Sequence, residues 1–339
     1  MSAAEVWGAS ATESGGRTSQ PQTTPLILTL TLNPTVDICC EVDHLEDIGK
    51  TRAQVRFVAA GGGGINVARG VGRLGGRATA LHTAGRETGQ RLNRLLDEEG
   101  IEHLALGIAG ETREAFVLFE TESRRSYHIV PPGPRIEDHE AGRCLDALDR
   151  ALGTHQYVVA SGSLPGGVPD DFYAAVARQV RAAGSRLVLD TSGPALRESL
   201  QEGVFLLRCN RSEAAWLVGR PVRGFDDARA VNAHLLAAGV EVAITTLGEL
   251  GALCSTGRSH TELRAPVLPG EPLSDAGAGD SMVAALAVRL VAGDDPVDAC
   301  ALGVAVAAAS VLTPGTEPFD RDLAESLYAA VRIKRQADS

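Results

Sequence analysis

The sequence predicts an α/β protein with a mostly parallel sheet, helices on both faces of that sheet, and a small β-sheet lid. Three observations lead to this fold class. Short apolar runs typical of buried strands alternate with longer runs of helical apolar spacing. Two β-rich stretches, at about 37–59 and 115–130, interrupt the alternation. Glycine is abundant at 38 residues while aromatic residues make up only 4%, which favours close packing of helices on a sheet.

The first predicted strand is the apolar run LILTLTL at 26–32. Further β segments follow within 37–59, and four glycines at 61–64 open a helical stretch. Because neither 37–59 nor 115–130 contains a helix, we expect these two regions to pair as a separate small sheet that covers the main one.

The middle of the chain alternates strands with helices. Predicted strands lie at 156–162, 185–193, 204–210 and 241–248, and predicted helices lie at 169–184, 194–203, 211–219 and 226–239. From Ser281 onward the chain is predicted to end in helices. This order predicts parallel strands joined by crossover helices.

A single domain is predicted for 26–335, since no linker divides it and no repeat of fixed period occurs. The first 25 residues lack the apolar core of a signal peptide and are expected to form a disordered tail.

The bulk chemistry excludes several classes of partner. A formal net charge of −11 argues against nucleic acid or an anionic membrane, so an anionic substrate would need locally placed positive groups. No apolar run reaches the length of a membrane span. The six cysteines have no CxxC spacing and are expected to be reduced thiols of a cytoplasmic protein.

Several common signatures are absent from the sequence. It contains no GxxxxGK[ST] phosphate loop, no HExxH and no Cys/His cluster with zinc spacing. A GxGxxG occurs at 70–75, but it follows a helical stretch rather than a strand. This context favours glycine packing late in a helix. A dinucleotide oxidoreductase stays open as an alternative, and lack of NAD(P) binding would remove it.

The stretch PLSDAGAGDSMVAALAVRL at 272–290 carries the strongest chemical signal. Apolar residues at helical spacing follow Asp280, and almost bare backbone precedes it. Such a helix start directs unpaired N–H groups and a positive dipole end toward an anion. A carboxylate beside an anion site is understandable if Asp280 performs chemistry. The alternative is that Asp280 only caps the helix.

The glycine run in AAGGGGINVARG at 59–70 is the second candidate. Four consecutive glycines cost backbone entropy on folding, so we expect a ligand to touch the main chain here or a hinge to bend. Asn66, at the start of the following helix, offers a donor and an acceptor to hydroxyl groups. The alternative is a flexible turn.

Asn210 and Glu213 lie three residues apart just after a predicted strand. The amide can bind a phosphate oxygen or a metal-bound water, and the carboxylate can hold Mg²⁺ through water. An Asn-x-x-Glu capping box explains the same spacing, and both can be true.

Together these motifs resemble the PfkB/ribokinase family of carbohydrate kinases, from about 26 to 331. GGGGINVAR at 61–69 and DAGAGDSMVAA at 275–285 are similar to the two signatures of the family, and CNRSE at 209–213 to its Asn-x-x-Glu element. TLTLNPTVD, SGSLPGGV and LDTSG resemble the phosphosugar kinase branch, most of all its minor-type 6-phosphofructokinases.

The resemblance implies a ribokinase-like three-layer α/β/α core with a β-sheet lid. It implies an ATP-dependent kinase that phosphorylates a sugar phosphate, with fructose 6-phosphate giving fructose 1,6-bisphosphate. Fructose 1-phosphate, tagatose 6-phosphate, or an unphosphorylated sugar or nucleoside stay open as acceptors. A degenerate kinase fold that only binds sugar is the non-enzymatic alternative, against which the intact Gly-Ala-Gly-Asp element argues.

For the reaction itself, the resemblance implies that Asp280 is the general base and that the N–H groups of Gly277, Ala278, Gly279 and Asp280 form the anion hole. The implied ATP-binding residues are Arg208, Asn210, Thr246, Gly248 and Gly251. Glu213 would hold Mg²⁺ through water. The carbonyl donors implied for K⁺ come from Ser274, Ala276, Ser310, Thr313 and Gly315.

The implied sugar-phosphate site has hydroxyl-binding and basic members. They are Asp37, Lys50, Arg52, Gly62, Gly63, Gly64, Asn66, Arg113, His128 and Ser163. Two positions depart from the pattern of 6-phosphofructokinases. His128 stands where an arginine is usual, which weakens the prediction of fructose 6-phosphate. Arg208-Cys209 replaces the usual Lys-Pro, and a cationic residue there is still expected to face ATP.

The predicted lid also implies a partner. A few strands that cover a cleft leave an apolar face and an edge exposed. We therefore expect the lids of two subunits to pack together in a homodimer.

Overall fold

The computed structural model describes residues 26–257, 259–315 and 317–337, and the predicted N-terminal tail at 1–25 lies outside them. The strands are β1 Leu26–Thr31, β2 Thr35–Val42, β3 Gln54–Gly61, β4 Ala78–Gly85, β5 Glu102–Ile108, β6 Arg113–Glu120, β7 Arg125–Ile129, β8 His155–Ser161, β9 Arg186–Asp190, β10 Leu206–Asn210, β11 Val242–Thr246, β12 Gly251–Thr256, β13 Ser259–Arg264 and β14 Arg332–Ala337. The helices are α1 Gly63–Arg73, α2 Arg86–Glu98, α3 Asp138–Leu152, α4 Phe172–Ala182, α5 Gly193–Ser199, α6 Arg211–Val218, α7 Phe225–Ala237, α8 Ala278–Val291, α9 Pro296–Ser310 and α10 Arg321–Tyr328.

The large sheet confirms the predicted fold class. Its strand order is β14-β13-β12-β11-β10-β9-β8-β1-β4-β5. The strands from β5 to β11 in this order pair parallel, and β12, β13 and β14 add to one edge as an antiparallel extension. Carboxyl ends of parallel strands meet at one edge, which is where ligands bind in open α/β sheets.

The expectation that the chain ends in helices is wrong at its last element. After α10 the chain returns to the sheet as β14, which pairs antiparallel with β13. The run RIKRQA has few apolar residues, so its pattern gave no strand signal. Edge strands tolerate such charge because one side of their backbone faces solvent.

Helices cover both faces of the large sheet. Alternate residues of β1 show this, because Leu28 and Leu30 belong to the core that includes residues of α3, α4, α5, α6 and α7, while Ile27 belongs to the core that includes residues of α1, α8 and α9. Among the described residues no helix combines the length and apolar character that crossing a membrane requires.

The small separate sheet has the order β3-β2-β6-β7. β2 and β6 run parallel, with Asp37 opposite Ala115, and β3 and β7 flank them antiparallel. β2 begins at Thr35 and β6 begins at Arg113, each two residues before the β-rich stretches predicted at 37–59 and 115–130. β3 leads directly into α1, so the lid is connected to the glycine run.

Helix packing explains the first glycine of the GxGxxG at 70–75. Gly70 lies inside α1 against α8, where an added Cβ would be 2.7 Å from the Cβ of Ala284. An added Cβ at Gly72 would meet nothing within 4 Å, and Gly75 follows the helix with φ 83°. α1 and α8 bring their N-terminal ends to the same region, where Asn66 bonds to Asp280.

Candidate active site

The N-terminus of α8 presents unpaired backbone donors. Gly277 precedes the helix with φ 71°, a left-handed conformation that glycine adopts without strain. Among the described residues, the N–H groups of Gly277, Gly279 and Asp280 have no hydrogen-bond partner, whereas that of Ala278 donates to the carbonyl of Asp275 at 3.3 Å. Three of the four predicted anion-hole donors are therefore free at a positive helix end.

Asp280 lies on the first turn of α8, and two side chains from other elements fix its carboxylate. Asn66 Nδ2, from α1, donates to Asp280 Oδ2 at 2.9 Å. Ser161 Oγ, from the end of β8, donates to Asp280 Oδ1 at 3.2 Å. Gly277 is the N-cap of α8 and Asp280 is the third residue of the helix, so Asp280 does not cap α8.

The environment of Asp280 raises its pKa to about 7. Burial is the largest cause, and the nearby charge of Asp190 adds to it, while Asn66, Arg208 and Ser161 oppose the shift. A carboxylate whose pKa lies near neutrality is suited to accept and release a proton in that range.

Asp190 and Arg208 form an ion pair beside Asp280. Arg208 Nη1 lies 3.2 Å from Asp190 Oδ1, and Arg208 Nη2 donates to Thr246 Oγ1 at 2.9 Å. Arg208 Nε is buried and has no partner among the described residues. The guanidinium packs directly on the helix start, because a Cβ added to Gly279 would be 2.8 Å from Nη1. Glycine at 279 thus allows a cation to approach the free N–H groups.

These groups line one cavity of about 310 Å³ at the carboxyl ends of β8, β9 and β10. Its lining residues include Gly63, Ser161, Ser163, Asp190, Arg208, Glu213, Gly279 and Asp280. A base, a cation and helix N–H groups therefore converge on a single space, which is the arrangement that transfer of an anionic group requires.

Asn210 and Glu213 form the capping box of α6. Asn210 Oδ1 accepts from the N–H groups of Ser212 and Glu213 at 2.9 Å each, and Glu213 Oε2 accepts from the N–H of Asn210 at 2.7 Å. Glu213 also lines the cavity, and burial, followed by the charge of Asp190, raises its pKa. The spacing has a capping role, and the carboxylate still faces the cavity.

The predicted nucleotide-contacting turn follows β11. Thr246 contacts Arg208, and Gly248 begins a short 3₁₀ turn with φ 62°. Gly251 has a packing role, since an added Cβ would be 2.0 Å from the carbonyl oxygen of Leu263 on the paired strand.

On the lid side, Asp37 lies over the glycine run. A Cβ at Gly61 would be 2.2 Å from Asp37 Oδ2. Burial raises the pKa of Asp37 to about 6, against a hydrogen bond from Thr35 and the charges of Arg69 and Arg113. The Asp37 carboxylate therefore lies near the positive charges of Arg69 and Arg113, and its oxygens can accept hydrogen bonds from hydroxyl groups.

Close approach explains the glycines that follow. A Cβ at Gly63 would be 2.3 Å from Ser161 Oγ, and one at Gly64 would be 2.5 Å from Thr31 Oγ1. Gly62 has φ 113° and precedes α1. The run is therefore required by packing of the helix start onto strand ends, rather than by flexibility.

The predicted basic residues occupy different environments. Arg113 is half-buried at the start of β6, where Nη2 donates to the carbonyl of Asn33 at 2.9 Å and Nη1 to that of Pro131 at 3.2 Å. Its Nε is buried without a partner among the described residues. Lys50, Arg52 and His128 are exposed on the lid, and the structure shows no contact between them and the Asp280 cavity.

The segments of the predicted K⁺ site run side by side. The N–H groups of Leu273 and Ser274 both bond to the carbonyl of Val311, which joins the segment before α8 to the end of α9. The carbonyl of Ser310 already accepts from Thr313 Oγ1 at 2.8 Å. Ala276 and Gly315 lie on these same segments.

Sequence reasoning did not select Asp190, Ser161 or Asn33 as site residues. Asn33 Nδ2 donates to Ser163 Oγ at 3.2 Å, at the edge of the cavity. The sequence nevertheless contains a positional signal for all three residues. Each lies at the end of an apolar run that is typical of a buried strand, or directly after it, within LDTSG, SGSLP and LNPTVD. Polar residues at the carboxyl ends of parallel strands are site candidates by position alone.

The raised pKa of Asp280 predicts a pH-dependent gain in stability for Asp280→Asn. Because its pKa rises from 3.8 to about 7 on folding, the carboxyl group weakens the fold progressively between about pH 4 and pH 7. Asparagine carries no charge and still offers groups to Asn66 and Ser161. We expect urea unfolding at pH 8 to show that the variant is more stable than the wild type by about 1–3 kcal/mol. At pH 5 we expect a smaller gain in stability.

The exposed carboxylate of Asp275 provides the matched control, since Asp275→Asn removes a charge from the same segment. An advantage of Asp280→Asn that did not grow from pH 5 to pH 8, or that Asp275→Asn shared, would contradict the buried-charge account.

Comparison with known proteins gives a consistent set of relatives. A sequence model described as pfkB family carbohydrate kinase matches residues 30–322. The ATP-dependent 6-phosphofructokinase isozyme 2 of Mycobacterium tuberculosis is 41% identical over 305 residues, which cover 90% of this chain and 89% of that protein. Phosphofructokinase-2 from Escherichia coli, solved in complex with potassium, is 31% identical with a TM-score of 0.83. Its complex with fructose-6-phosphate is 31% identical with a TM-score of 0.80, and each match covers 89% of this chain and 98% of the other.

Proposed function

Because the chain belongs to the pfkB family of carbohydrate kinases, we propose that it transfers the γ-phosphate of ATP to fructose 6-phosphate and forms fructose 1,6-bisphosphate. The observation that carries this proposal is a carboxylate with a pKa of about 7 beside free N–H groups at the start of α8. The related enzyme from Mycobacterium tuberculosis, named as an ATP-dependent 6-phosphofructokinase, supports the choice of acceptor.

Asp280 accepts the proton of the acceptor hydroxyl as that oxygen attacks the γ-phosphorus. Asn66 and Ser161 hold the carboxylate in place through hydrogen bonds at 2.9 and 3.2 Å. The free N–H groups of Gly277, Gly279 and Asp280 stabilise negative charge on the transferring phosphoryl group. Catalysis of this kind depends on positioning and charge neutralisation more than on covalent chemistry.

Arg208 provides the fixed positive charge of the site. Its guanidinium touches Gly279, and its unpaired Nε is a donor that no group of the described chain satisfies. Its Nη1 pairs with the Asp190 carboxylate and its Nη2 donates to the Thr246 hydroxyl, so the guanidinium is fixed in position. We assign it to the ATP phosphates, together with Asn210 and the turn at Gly248 and Gly251.

The carboxylates of the cavity fit Mg²⁺ bound mainly by nucleotide phosphates. Among the described residues no group of three His, Cys, Asp or Glu side chains could hold a metal by itself. Glu213 and Asp190 line the cavity, and each already has one protein partner. Mg²⁺ commonly uses one or two carboxylates, waters and substrate phosphates, so Glu213 would hold it through water. The ion supplies neutralisation of phosphate charge.

Arg113 and Asp37 recognise the sugar phosphate. The Asp37 carboxylate accepts hydroxyl hydrogens beside Gly62, Gly63 and Gly64, and Arg113 pairs with the phosphate of the acceptor. Ser163 adds a hydroxyl at the cavity edge. Lys50, Arg52 and His128 contribute only if the lid moves toward the cleft.

Arg113→Met is expected to raise the KM for fructose 6-phosphate about 10–100-fold with a smaller change in kcat, because a charged hydrogen bond to phosphate contributes about 1.5–3 kcal/mol. The measurement is a coupled assay at saturating MgATP, and Arg91→Met, which loses an exposed pair with Glu114, is the control. An equal change with unphosphorylated fructose would contradict the phosphate contact.

The acceptor is tested with purified protein, Mg²⁺, ATP and a panel of fructose 6-phosphate, fructose 1-phosphate, tagatose 6-phosphate, fructose, ribose and adenosine. We expect the highest kcat/KM for fructose 6-phosphate. A higher kcat/KM for any other acceptor would reassign the substrate, and absence of turnover with every acceptor would favour the non-enzymatic alternative.

We also propose a K⁺ site formed by carbonyls of Ser274, Ala276, Ser310, Thr313 and Gly315. Support comes from the adjacent course of these segments and from the Escherichia coli structure in complex with potassium. Replacing K⁺ with tetramethylammonium at constant ionic strength is expected to lower kcat, and an unchanged kcat would remove the site.

The lid supports a homodimer. Val55, Phe116 and Ile129 on β3, β6 and β7 are 56%, 38% and 52% exposed, which is unusual for apolar side chains on one small sheet. We expect sedimentation equilibrium to give twice the chain mass of 35.3 kDa. A monomeric mass at micromolar concentration would contradict this proposal.

A further inference from the structure

Arg69 contacts three elements that meet behind Asp280. It lies on α1, three residues after Asn66, and its Nη1 donates to Asn66 Oδ1 at 2.8 Å. Its Nη2 donates to the carbonyl of Ala60 at 2.5 Å, at the end of β3. Its Nε and Nη2 also bond to the carboxylate of Glu99, just after α2, at 2.5 and 2.9 Å.

These contacts form a chain that leads to the reacting carboxylate. Glu99 holds Arg69, Arg69 bonds to the amide oxygen of Asn66, and the amide nitrogen of Asn66 bonds to Asp280. Each bond of the chain is at most 2.9 Å long. Arg69 itself does not contact Asp280, so any influence on the base passes through Asn66.

The direction of these bonds follows from the chemistry of the groups. An asparagine amide has an acceptor end and a donor end and can turn about its terminal bond. Arginine has only donors, so beside Arg69 the Asn66 amide must present its oxygen to the guanidinium. The nitrogen then faces Asp280 and donates to it. A donor favours the ionised carboxylate, whereas an amide oxygen in its place would favour the protonated acid.

We propose that Arg69 is a positioning residue for phosphoryl transfer: it orients the Asn66 amide so that Asp280 stays in the carboxylate form that accepts the hydroxyl proton. This inference rests on the proposed role of Asp280. The Glu99 carboxylate accepts from Nε and Nη2 of Arg69, and the Ala60 carbonyl accepts from Nη2. These bonds fix the guanidinium, so the lid strand β3 and the end of α2 share in positioning the Asn66 amide.

Other charges also act on Asp280, and they stay in place when Arg69 is replaced. Asp190 on β9 opposes ionisation, Arg208 on β10 favours it, and Ser161 on β8 donates to it. Asp37 on β2 is influenced by Arg69, so a variant at 69 also changes the sugar side. The test therefore separates the pH profile of kcat from the KM for the sugar.

Arg73 is the matched control on the same helix. It lines the same groove of about 1220 Å³ as Arg69, one turn further along α1. Its Nε donates to the carbonyl of Phe319 at 2.8 Å, and it makes no contact with Asn66. Arg73→Met removes a more exposed arginine of the same helix and leaves the bonds that lead to Asp280 unchanged.

The experiment measures kcat against pH from 5.5 to 9.5 with saturating MgATP and fructose 6-phosphate. For Arg69→Met we expect kcat to fall about 5-fold near pH 7, the acidic limb of the pH profile to move up by about one pH unit, and most of kcat to return at pH 9. Arg69→Lys keeps a cation that only donates hydrogen bonds, so we expect it to move the acidic limb of the pH profile less than Arg69→Met does. Arg73→Met is expected to keep the wild-type profile.

A double-mutant cycle with Asn66→Ala tests the route. If Arg69 acts through the amide, adding Arg69→Met to Asn66→Ala produces no further shift of the acidic limb. Additive shifts, or a loss of kcat that is the same at every pH, would overturn the inference. Should Arg69→Met fail to fold, Glu99→Gln weakens the ion pair that holds Arg69 and is expected to move the acidic limb in the same direction, and an unchanged limb would overturn the inference.

The outcomes also separate this inference from the proposed function. If Asp280→Asn kept wild-type kcat, the proposed function would fail whatever Arg69 does. If Asp280→Asn lost turnover while Arg69→Met kept the wild-type pH profile, only the role of Arg69 would be wrong.

Discussion

Replacement of Asp280 with asparagine is expected to lower kcat by a factor on the order of 10²–10⁴, because the variant removes the proposed general base. The amide retains the shape of the side chain and its contacts with Asn66 and Ser161, so the fold and the cavity persist. The free N–H groups at the start of α8 are unchanged. The loss should therefore fall on the chemical step rather than on binding.

Binding measurements separate these two effects. We expect calorimetry to give a Kd for MgATP in Asp280→Asn equal to or below that of the wild type, since removing a carboxylate near the phosphates lowers repulsion. Asp275→Asn, on the exposed segment before the helix, is expected to keep wild-type kcat. Wild-type turnover by Asp280→Asn would show that another group takes the proton.

The second large effect is expected for Arg208→Met, in stability as well as in activity. Asp190 is buried and has Arg208 as its ion-pair partner, so the variant leaves an unpaired carboxylate in the interior. Breaking a buried pair from one side costs about 3–5 kcal/mol. The same change removes the cation that we assign to the ATP phosphates, so kcat should fall on the order of 10²-fold or more.

A double variant tests the physical cause of the instability. Asp190→Asn combined with Arg208→Met removes both charges, and we expect it to recover most of the stability lost in Arg208→Met while kcat stays low. Urea unfolding at pH 7 measures the first and a coupled kinase assay the second. If the double variant were as unstable as Arg208→Met, the loss would come from packing of the long side chain instead.

The arrangement of the large sheet was predictable because its signal is local. Each parallel strand is a short apolar run, each crossover helix has its own periodicity, and the Asn-x-x-Glu spacing marks where α6 begins. The position of Asp280 on the first turn of α8 was predictable for a similar reason, since apolar residues at helical spacing follow it.

The features that sequence reasoning missed depend on contacts between distant segments. The ion pair of Asp190 and Arg208 joins two strands, and neither residue shows in the sequence that its partner lies 18 positions away. The antiparallel extension that includes β14 is stabilised by pairing with its neighbour rather than by its own pattern. The contact of Arg69 with Asn66 lies within one motif, but the contact of Arg69 with Glu99 joins positions 30 residues apart, and the motif gives no indication of it.

For the basic residues of the lid, the sequence shows the residue type but not how buried or how well anchored each side chain is. Lys50, Arg52 and His128 are of the residue types that bind phosphate, yet they are exposed. None of them lines the Asp280 cavity, and Arg113 does not line it either. Arg113 differs because its guanidinium is anchored by two backbone carbonyls at the start of β6. Residue type identified four candidates, and only burial and anchoring distinguish among them.

The proposed role of Asp280 as general base is tested most directly by a crystal structure of the protein with Mg²⁺, a non-hydrolysable ATP analogue and fructose 6-phosphate. We expect the 1-hydroxyl of the sugar within about 2.6–3.2 Å of an Asp280 carboxylate oxygen, and the γ-phosphate analogue against the N–H groups of Gly277 and Gly279. A sugar whose 1-hydroxyl faces another side chain, with Asp280 outside hydrogen-bonding reach, would contradict it.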